Sequence, residues 1–282
     1  MMQKTLFVSD MDGTLLDNDA QISATTARIL SRLCHEGVPF TVATARTPAT
    51  VEPLLAHTFT TLPCIVMTGA ALWHRDTQTY SHVHYIPADH EEAIDEAFSR
   101  AGVTPLIYTL PDDHIIRVYH AGKTLNAAEQ KFVDDRNHLP LKRFCLNATP
   151  PANAHGRRIL MFAMGTIPGV EQAATDLRRV TNCSISCYRD TYNPALGLLE
   201  VFAPDVSKAQ AVLGLKESIG AQNLVVYGDN LNDLPMLAAA DMAVAVENAL
   251  PAVKEAADKI IGPNSADAVA RNIEQLTHNQ TL

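Results

Sequence analysis

Short apolar runs alternate with amphipathic stretches at both ends of the chain, and the middle breaks that rhythm. Leu6 to Ser9 reads as a buried strand, and Ser23 to Glu36, with apolar Ile29, Leu30 and Leu33 and a closing Gly37, reads as a helix. Val38 to Thr44 and Cys64 to Thr68 read as further strands. This strand-helix alternation predicts a parallel sheet with crossover helices. The same grammar returns near the C-terminus: Leu224 to Gly228, a helix through Met236-Leu237-Ala238, Met242 to Val246, a helix near Pro251 to Ala256, Lys259 to Ile261, and a final helix to Leu276.

Between the two halves, a hairpin around Arg75-Asp76-Thr77-Gln78 precedes a helix (Asp89 to Ala101) and a strand pair (Leu106 to Leu110, Ile115 to Tyr119). A helix (Leu125 to Asn137), a strand (Arg158 to Met164), a helix (Val170 to Val180) and strands near Ile185 to Tyr188 and Leu198 to Phe202 follow. Strands paired locally, with helices on one side, predict an α+β unit inserted into an α/β domain. The expected fold is therefore α/β, a doubly wound parallel sheet core over residues 1–81 and 190–282, interrupted by an inserted α+β unit over residues 82–189.

In an open parallel sheet, ligands sit beyond the carboxyl ends of the strands. Four polar signals fall at such ends: Asp10 with Asp12, Thr44, Thr68-Gly69, and Gly228-Asp229. Asp10-Met11-Asp12-Gly13-Thr14 follows Leu6-Phe7-Val8, and a period-2 backbone would throw both carboxylates to the same side. Two buried like charges need a cation or a shared proton, and Gly13 allows a tight turn whose N–H groups face an anion. An Asp-Gly turn that merely ends a strand accounts for the same letters.

Gly228-Asp229-Asn230-Leu231-Asn232-Asp233 brings two more acids to a helix start, where capping alone would also explain them. Four carboxylates at one sheet edge suit Mg²⁺, a hard ion that takes oxygen ligands. Ser207 reads as an N-cap, which puts Lys208 in the first turn of a helix, the wrong end for a cation beside the helix dipole. Thr44 adds a hydroxyl at the neighbouring strand end, with Arg46 two residues on. Metal, ammonium, hydroxyl and amides around a carboxylate fit phosphoryl transfer, with one acid as nucleophile and the other moving the proton.

Composition narrows the partner. The 282 residues, 47% hydrophobic and 19% charged, have ordinary globular composition and suffice for one large or two ordinary domains. A net charge of −9 without a Lys/Arg-rich block argues against nucleic acid, so a small anionic substrate would need a metal ion or a well-placed lysine. No run of about 18 apolar residues exists for a membrane span. Met1-Met2-Gln3-Lys4 leads straight into a strand with no signal-peptide core, so a cytoplasmic location and no membrane partner are expected. Cys34, Cys64, Cys145, Cys183 and Cys187 are scattered, without C-x-x-C spacing, and read as reduced thiols.

The order D-x-D-G-T at Asp10, T-x-R at Thr44, a lysine at position 208 opening a late helix, and G-D-x-x-N-D at Gly228 resembles the haloacid dehalogenase superfamily of phosphohydrolases. The insertion between the second and third motifs, with Val206-Ser207-Lys208 and Asn248-Ala249, is most similar to the Cof-type subfamily, which carries a type IIB cap. The resemblance implies a Rossmann-like core, an inserted substrate-specificity cap and Mg²⁺ as cofactor. It implies Asp10 as nucleophile and metal ligand, and Asp12 as general acid/base that also lends its backbone carbonyl to the metal. Thr44 and Lys208 would hold the phosphoryl group, Asp229 the metal, and Asn232 phosphate or Lys208. Asp233 would support the metal shell or Lys208, with Arg46 and Gly69 in further support.

Ala45, Thr68, Ala209 and Glu247 depart from the residues the family usually carries. The implied reaction is hydrolysis of a small phosphorylated metabolite, sugar phosphates foremost, through an aspartyl-phosphate, by a monomer or weak homodimer. A phosphomutase and a catalytically silent module sensing a phosphorylated ligand are the rival readings. A dehalogenase has no use for Asp12 and the metal acids, and a transport ATPase needs membrane spans.

Other conspicuous residues have plainer readings. His82 and His84 would alternate on a strand as a surface pair, and Trp73 and Tyr80 would pack the hairpin against the core. Arg117, His120, Lys123, Arg143, Arg189 and Asp190 read as solvated loop charge in the inserted unit.

Overall fold

The computed structural model describes residues 4–190 and 193–279. The chain divides into two compact units, one running to Ser81 and resuming at Ser207, the other spanning His82–Val206. The first begins with β1 (Thr5–Ser9), α1 (Ala24–His35), β2 (Phe40–Val42), α2 (Pro48–Leu54), β3 (Cys64–Val66), β4 (Ala71–His74) and β5 (Thr79–Ser81). The second holds α3 (Glu91–Arg100), β6 (Leu106–Thr109), β7 (Ile116–His120), α4 (Ala127–Asp134), β8 (Lys142–Leu146), β9 (Arg158–Thr166), α5 (Ile167–Val180), β10 (Ser184–Arg189) and β11 (Leu196–Phe202). The first then resumes with α6 (Lys208–Ser218), β12 (Asn223–Gly228), α7 (Leu234–Ala238), β13 (Met242–Val246), α8 (Pro251–Ala256), β14 (Lys259–Ile261) and α9 (Ala268–Asn279).

The core sheet is all-parallel in the order β14-β13-β12-β1-β2. β1 is buried at every position, as a central parallel strand covered on both faces must be. Ser23 starts α1 by accepting a bond from the Thr26 amide, and Ile29, Leu30 and Leu33 form the buried stripe that periodicity predicts. The chain places β2 on one side of β1 and returns β12 to the other, so the strand order reverses at β1 and opens a crevice at its carboxyl end.

β3 does not extend this sheet as its apolar run suggests. It pairs antiparallel with β4 in a three-stranded β3-β4-β5 sheet and runs beside the end of β2 through a parallel bridge between Ala43 and Ile65, with the Thr41 hydroxyl on Pro63 O (2.6 Å). Met67 and Thr68 take positive φ (49° and 58°), turning the chain back so that β4 runs antiparallel beside β3. Trp73 is buried there and packs on Tyr80 across the hairpin. His82 and His84 are exposed and follow β5 rather than lying on it.

The second unit is a six-stranded sheet, β10-β11-β9-β6-β7-β8, antiparallel except for the β7–β8 pair. α3 and α5 cover one face through Ile94, Phe98, Val170 and Leu177 against Met161 and Val201. α4 does not join them: its Phe132 packs on Phe162, which alternation turns to the face opposite Met161. Helices thus lie on both faces, not one. β8 escapes a reading by periodicity because its burial does not alternate. The unit's second edge also falls later than 189, at Val206, because β11 pairs with both β10 and β9. Among the described residues, no helix is long and apolar enough to cross a membrane.

Candidate active site

β1 hands Asp10 to the crevice, where the Asp10 amide still donates to Tyr227 O at the end of β12 (3.0 Å). The acid is 6% exposed. β12 ends in Gly228 and delivers Asp229 beside it, and the turn that follows brings back Asp233, which is fully buried. Across the crevice, Ser207 caps α6 by accepting from the Gln210 amide. This sets Lys208 at the first helical position, only 2% exposed, with Nζ 2.5 Å from Asp10 Oδ1 and 2.8 Å from Asp233 Oδ1. The cation at the wrong end of the helix is therefore held by two carboxylates.

Two glycines make these approaches possible. Gly13 has φ of +79°, and a Cβ there would lie 2.4 Å from Asp229 Oδ2. Gly69 has φ of +98°, and a Cβ there would lie 2.4 Å from Ser207 O, so this glycine lets the start of α6 close on the crevice. Asp233 Oδ2 accepts from the amides of Asp229 (3.1 Å) and Asn230 (3.2 Å), while its other oxygen takes Lys208. Thr14 Oγ1 donates to Asp229 Oδ1 at 2.7 Å.

Asp10, Asp229 and Asp233 each offer an oxygen, all within 4.8 Å of one another. Burial pushes Asp10 up to about 8 against the pull of the Lys208 ammonium, with Asp233 and Asp229 adding to the rise. Burial likewise pushes Asp229 up to about 6, opposed by the Thr14 hydrogen bond. Lys208 is held above its ordinary range because the attraction of Asp10 and Asp233 outweighs burial. A buried, all-oxygen set in which carboxylates outnumber ammonium is the chemistry a hard divalent cation such as Mg²⁺ fits.

Asp12 stands differently from what strand alternation suggests. Extended pairing ends at Ser9, and Asp12 lies in the tight turn before Gly13. Its side chain is 54% exposed, outside the close trio of acids, and accepts two bonds from Arg46: Nε to Oδ2 (2.7 Å) and Nη2 to Oδ1 (2.6 Å). Thr44 is buried just past β2, its amide on Ile65 O and its hydroxyl accepting from the Arg46 amide (3.2 Å). Asn232 is exposed on the turn before α7, and Lys208 is bonded to Asp10 and Asp233 instead.

Three supporting residues carry no chemical role in the sequence reading, although Thr14 and Asn248 belong to motifs it quotes. Thr14 is one; its place directly after Gly13 was the available signal. Asn248 Nδ2 donates to Gly13 O (2.7 Å), and Asn264, whose amide donates to Asn248 Oδ1 (2.9 Å), donates from Nδ2 to Leu16 O (2.8 Å). These two asparagines tie the catalytic-loop candidate to the far end of the chain, and no local pattern marks Asn264. The five cysteines are all free, and burial pushes Cys34 up to about 11 and Cys64 up to about 12.

Comparison with known proteins gives the family and the fold. The profile of the haloacid dehalogenase-like hydrolases matches residues 7–273. A Haemophilus influenzae protein named as a phosphatase by inference is 27% identical over 98% of both chains. An Escherichia coli pyridoxal phosphate phosphatase is 23% identical over 96% of this chain and 98% of its own. A solved structure described as a sugar phosphatase of subclass IIB of the same superfamily has 23% identity and a TM-score of 0.70, covering 97% of this chain and 99% of its own, and so shares the fold.

Proposed function

The chain belongs to the haloacid dehalogenase-like hydrolases, and on that premise we propose that it is a Mg²⁺-dependent phosphatase of small phosphomonoesters that works through an aspartyl-phosphate. The observation that carries this reading is the buried Lys208 ammonium bridging Asp10 and Asp233 beside Asp229, at the point where the strand order reverses.

In this reading Asp10 attacks phosphorus, an O–P bond forms as the ester P–O bond breaks, and the departing oxygen takes a proton from Asp12. Water then attacks the phosphorus of the aspartyl-phosphate, giving its proton to Asp12 and releasing inorganic phosphate and Asp10. Lys208 and Thr44 neutralise and position the phosphoryl oxygens, Asn232 is assigned a contact with phosphate, and Asp233 holds Lys208. Arg46 orients the Asp12 carboxylate through its two bonds. Asp10, Asp229 and the Asp12 backbone carbonyl would hold Mg²⁺, which when bound offsets the charge gathered on the phosphoryl group.

The second unit is assigned substrate selection, and sugar phosphates and similarly small cofactor phosphates are the substrate class, as the subclass IIB sugar phosphatase and the pyridoxal phosphate phosphatase suggest. A cytoplasmic monomer or weak homodimer completes the reading. The test is phosphate release from a panel of sugar, nucleotide and cofactor monophosphates with Mg²⁺. Turnover is expected for sugar or cofactor phosphates and abolished in Asp10→Asn. Turnover surviving in Asp10→Asn would remove the covalent route, and dependence on a bisphosphate activator with no net phosphate release would mark a mutase.

A further inference from the structure

β10 is an outer strand of the second unit's sheet, paired among the described residues with β11 alone. Outer strands are ordinarily blunted by proline, lysine or a bulge. Ser184-Ile185-Ser186-Cys187-Tyr188-Arg189 has none of these, and it pairs with β11 in unbroken register. The Asp190 amide donates to Leu196 O, so by the alternation of an antiparallel ladder Ser184, Ser186 and Tyr188 spend their backbone groups on β11. Ile185, Cys187 and Arg189 turn theirs to the open edge.

Beside that edge, α5 and β10 enclose a groove of about 540 Å³ lined by Glu171, Thr175, Arg178, Cys187 and Arg189. Glu171 and Arg178 stand about two turns apart on α5 with Thr175 between them, an exposed acid and an exposed base on one face. Neither they nor Arg189 have an ion partner among the described residues, whereas Asp176 and Arg179 of the same helix hold each other. Burial raises the Cys187 thiol, Glu171 adds to the rise and Arg178 opposes it, so both charges lie close to the middle of β10.

A second copy of this chain fits the strand edge and the charges at once. Only Ile185, Cys187 and Arg189 offer backbone bonds, so a two-fold axis must pass through one of them, and Cys187 gives the longest overlap. Cys187 then faces Cys187, and Ile185 faces Arg189 of the other copy. An axis at Arg189 would set like charges opposite each other. The axis at Cys187 also runs the two α5 helices antiparallel, which turns Glu171 of each toward Arg178 of the other. α5 lies over β11, and three strand spacings separate β11 from its copy, so the helix axes stand about 14 Å apart. Helices about 10–12 Å across leave a gap there that a glutamate and an arginine can span. On the opposite face Tyr188, 45% exposed, meets Ser186 of the other copy.

We propose that β10 and α5 form a self-complementary surface on which two copies of this chain join, continuing one antiparallel sheet across a two-fold axis flanked by Glu171–Arg178 contacts. The surface lies wholly within the second unit. It specifies the homodimer named in the phosphatase reading and rests on none of that reading's chemistry.

The experiment is sedimentation equilibrium of the full chain, where a monomer–dimer equilibrium with a Kd in the micromolar range is expected. Arg178→Glu and Glu171→Arg each break two contacts by symmetry and should weaken association at least about tenfold. The double variant Glu171→Arg/Arg178→Glu restores opposite charges and should recover the wild-type Kd to within about threefold, which damage to the fold would not allow. Diamide should cross-link the wild type, but not Cys187→Ser, because facing Cα atoms about 5.5 Å apart lie within disulfide reach. A chain that stays monomeric, a dimer indifferent to the single charge variants, or a double variant as weak as the singles would overturn the proposal. Phosphate release is read on the same samples: its absence leaves the dimer result standing, and a monomer that turns over leaves the phosphatase reading standing.

Discussion

Lys208 Nζ lies 2.5 Å from Asp10 Oδ1, joining the first turn of α6 to the end of β1 inside the protein. The same ammonium also reaches Asp233, so three segments distant in sequence share one charge. Removing it strands two buried carboxylates. Lys208→Met is expected to cost about 3–5 kcal/mol in urea unfolding without metal and to abolish turnover. The double variant Asp10→Asn/Lys208→Met should recover part of that stability and none of the activity, because the two losses share one pair.

Gly13→Ala tests the close approach to Asp229. The positive φ and the 2.4 Å clash together require the loop to move. A loss of about 1–3 kcal/mol is expected. In the phosphatase reading, a Mg²⁺ titration of activity should show weaker activation, whereas Gly37→Ala, where a side chain would meet nothing within 4 Å, should cost only the strain of its φ.

The metal-free protein should lose stability as pH rises. Asp10 near 8 and Asp229 near 6 both lie above the ordinary 3.8, so the folded state binds these protons more tightly than the unfolded chain. Their contribution is fully present below about pH 4 and is lost as pH passes through 6 and then 8, a negative slope of unfolding free energy against pH. In EDTA the Tm difference between wild type and Asp10→Asn should therefore widen from pH 5 to pH 8, the variant becoming the more stable. Mg²⁺ should raise the wild-type Tm most at the upper end of that range.

Lys142 gives the opposite sign. It is 3% exposed, its Nζ between the rings of Phe132 (5.5 Å) and Phe144 (5.4 Å), and burial pushes its amine down to about 7. The unfolded chain binds this proton more tightly between about pH 7 and 10.5, so stability from this group rises with pH across that window. Lys142→Met should be the more stable protein at pH 7, with the advantage shrinking toward pH 10, as read by denaturant unfolding of both proteins side by side.

The positions of the polar residues at the crevice were legible in the chain because local rules place them. Asp10, Thr44 and Asp229 follow apolar runs long enough to be strands, Lys208 follows an N-cap serine, and Gly13 marks a turn, so periodicity and capping assign each to a strand end or helix start. Those rules say what kind of element a residue belongs to and which face it shares. They do not say which neighbour arrives there. That Asp12 turns out to Arg46, that Thr14 serves Asp229, that β3 pairs with β4, and that His120 is sealed beside Glu129 all depend on contacts between residues far apart in the chain or on where a strand stops. Asp10-Met11-Asp12 is the clearest case. The letters determined an acid at the mouth of a buried strand, but only the tertiary structure separated the pair, because strand alternation ends where the backbone stops pairing.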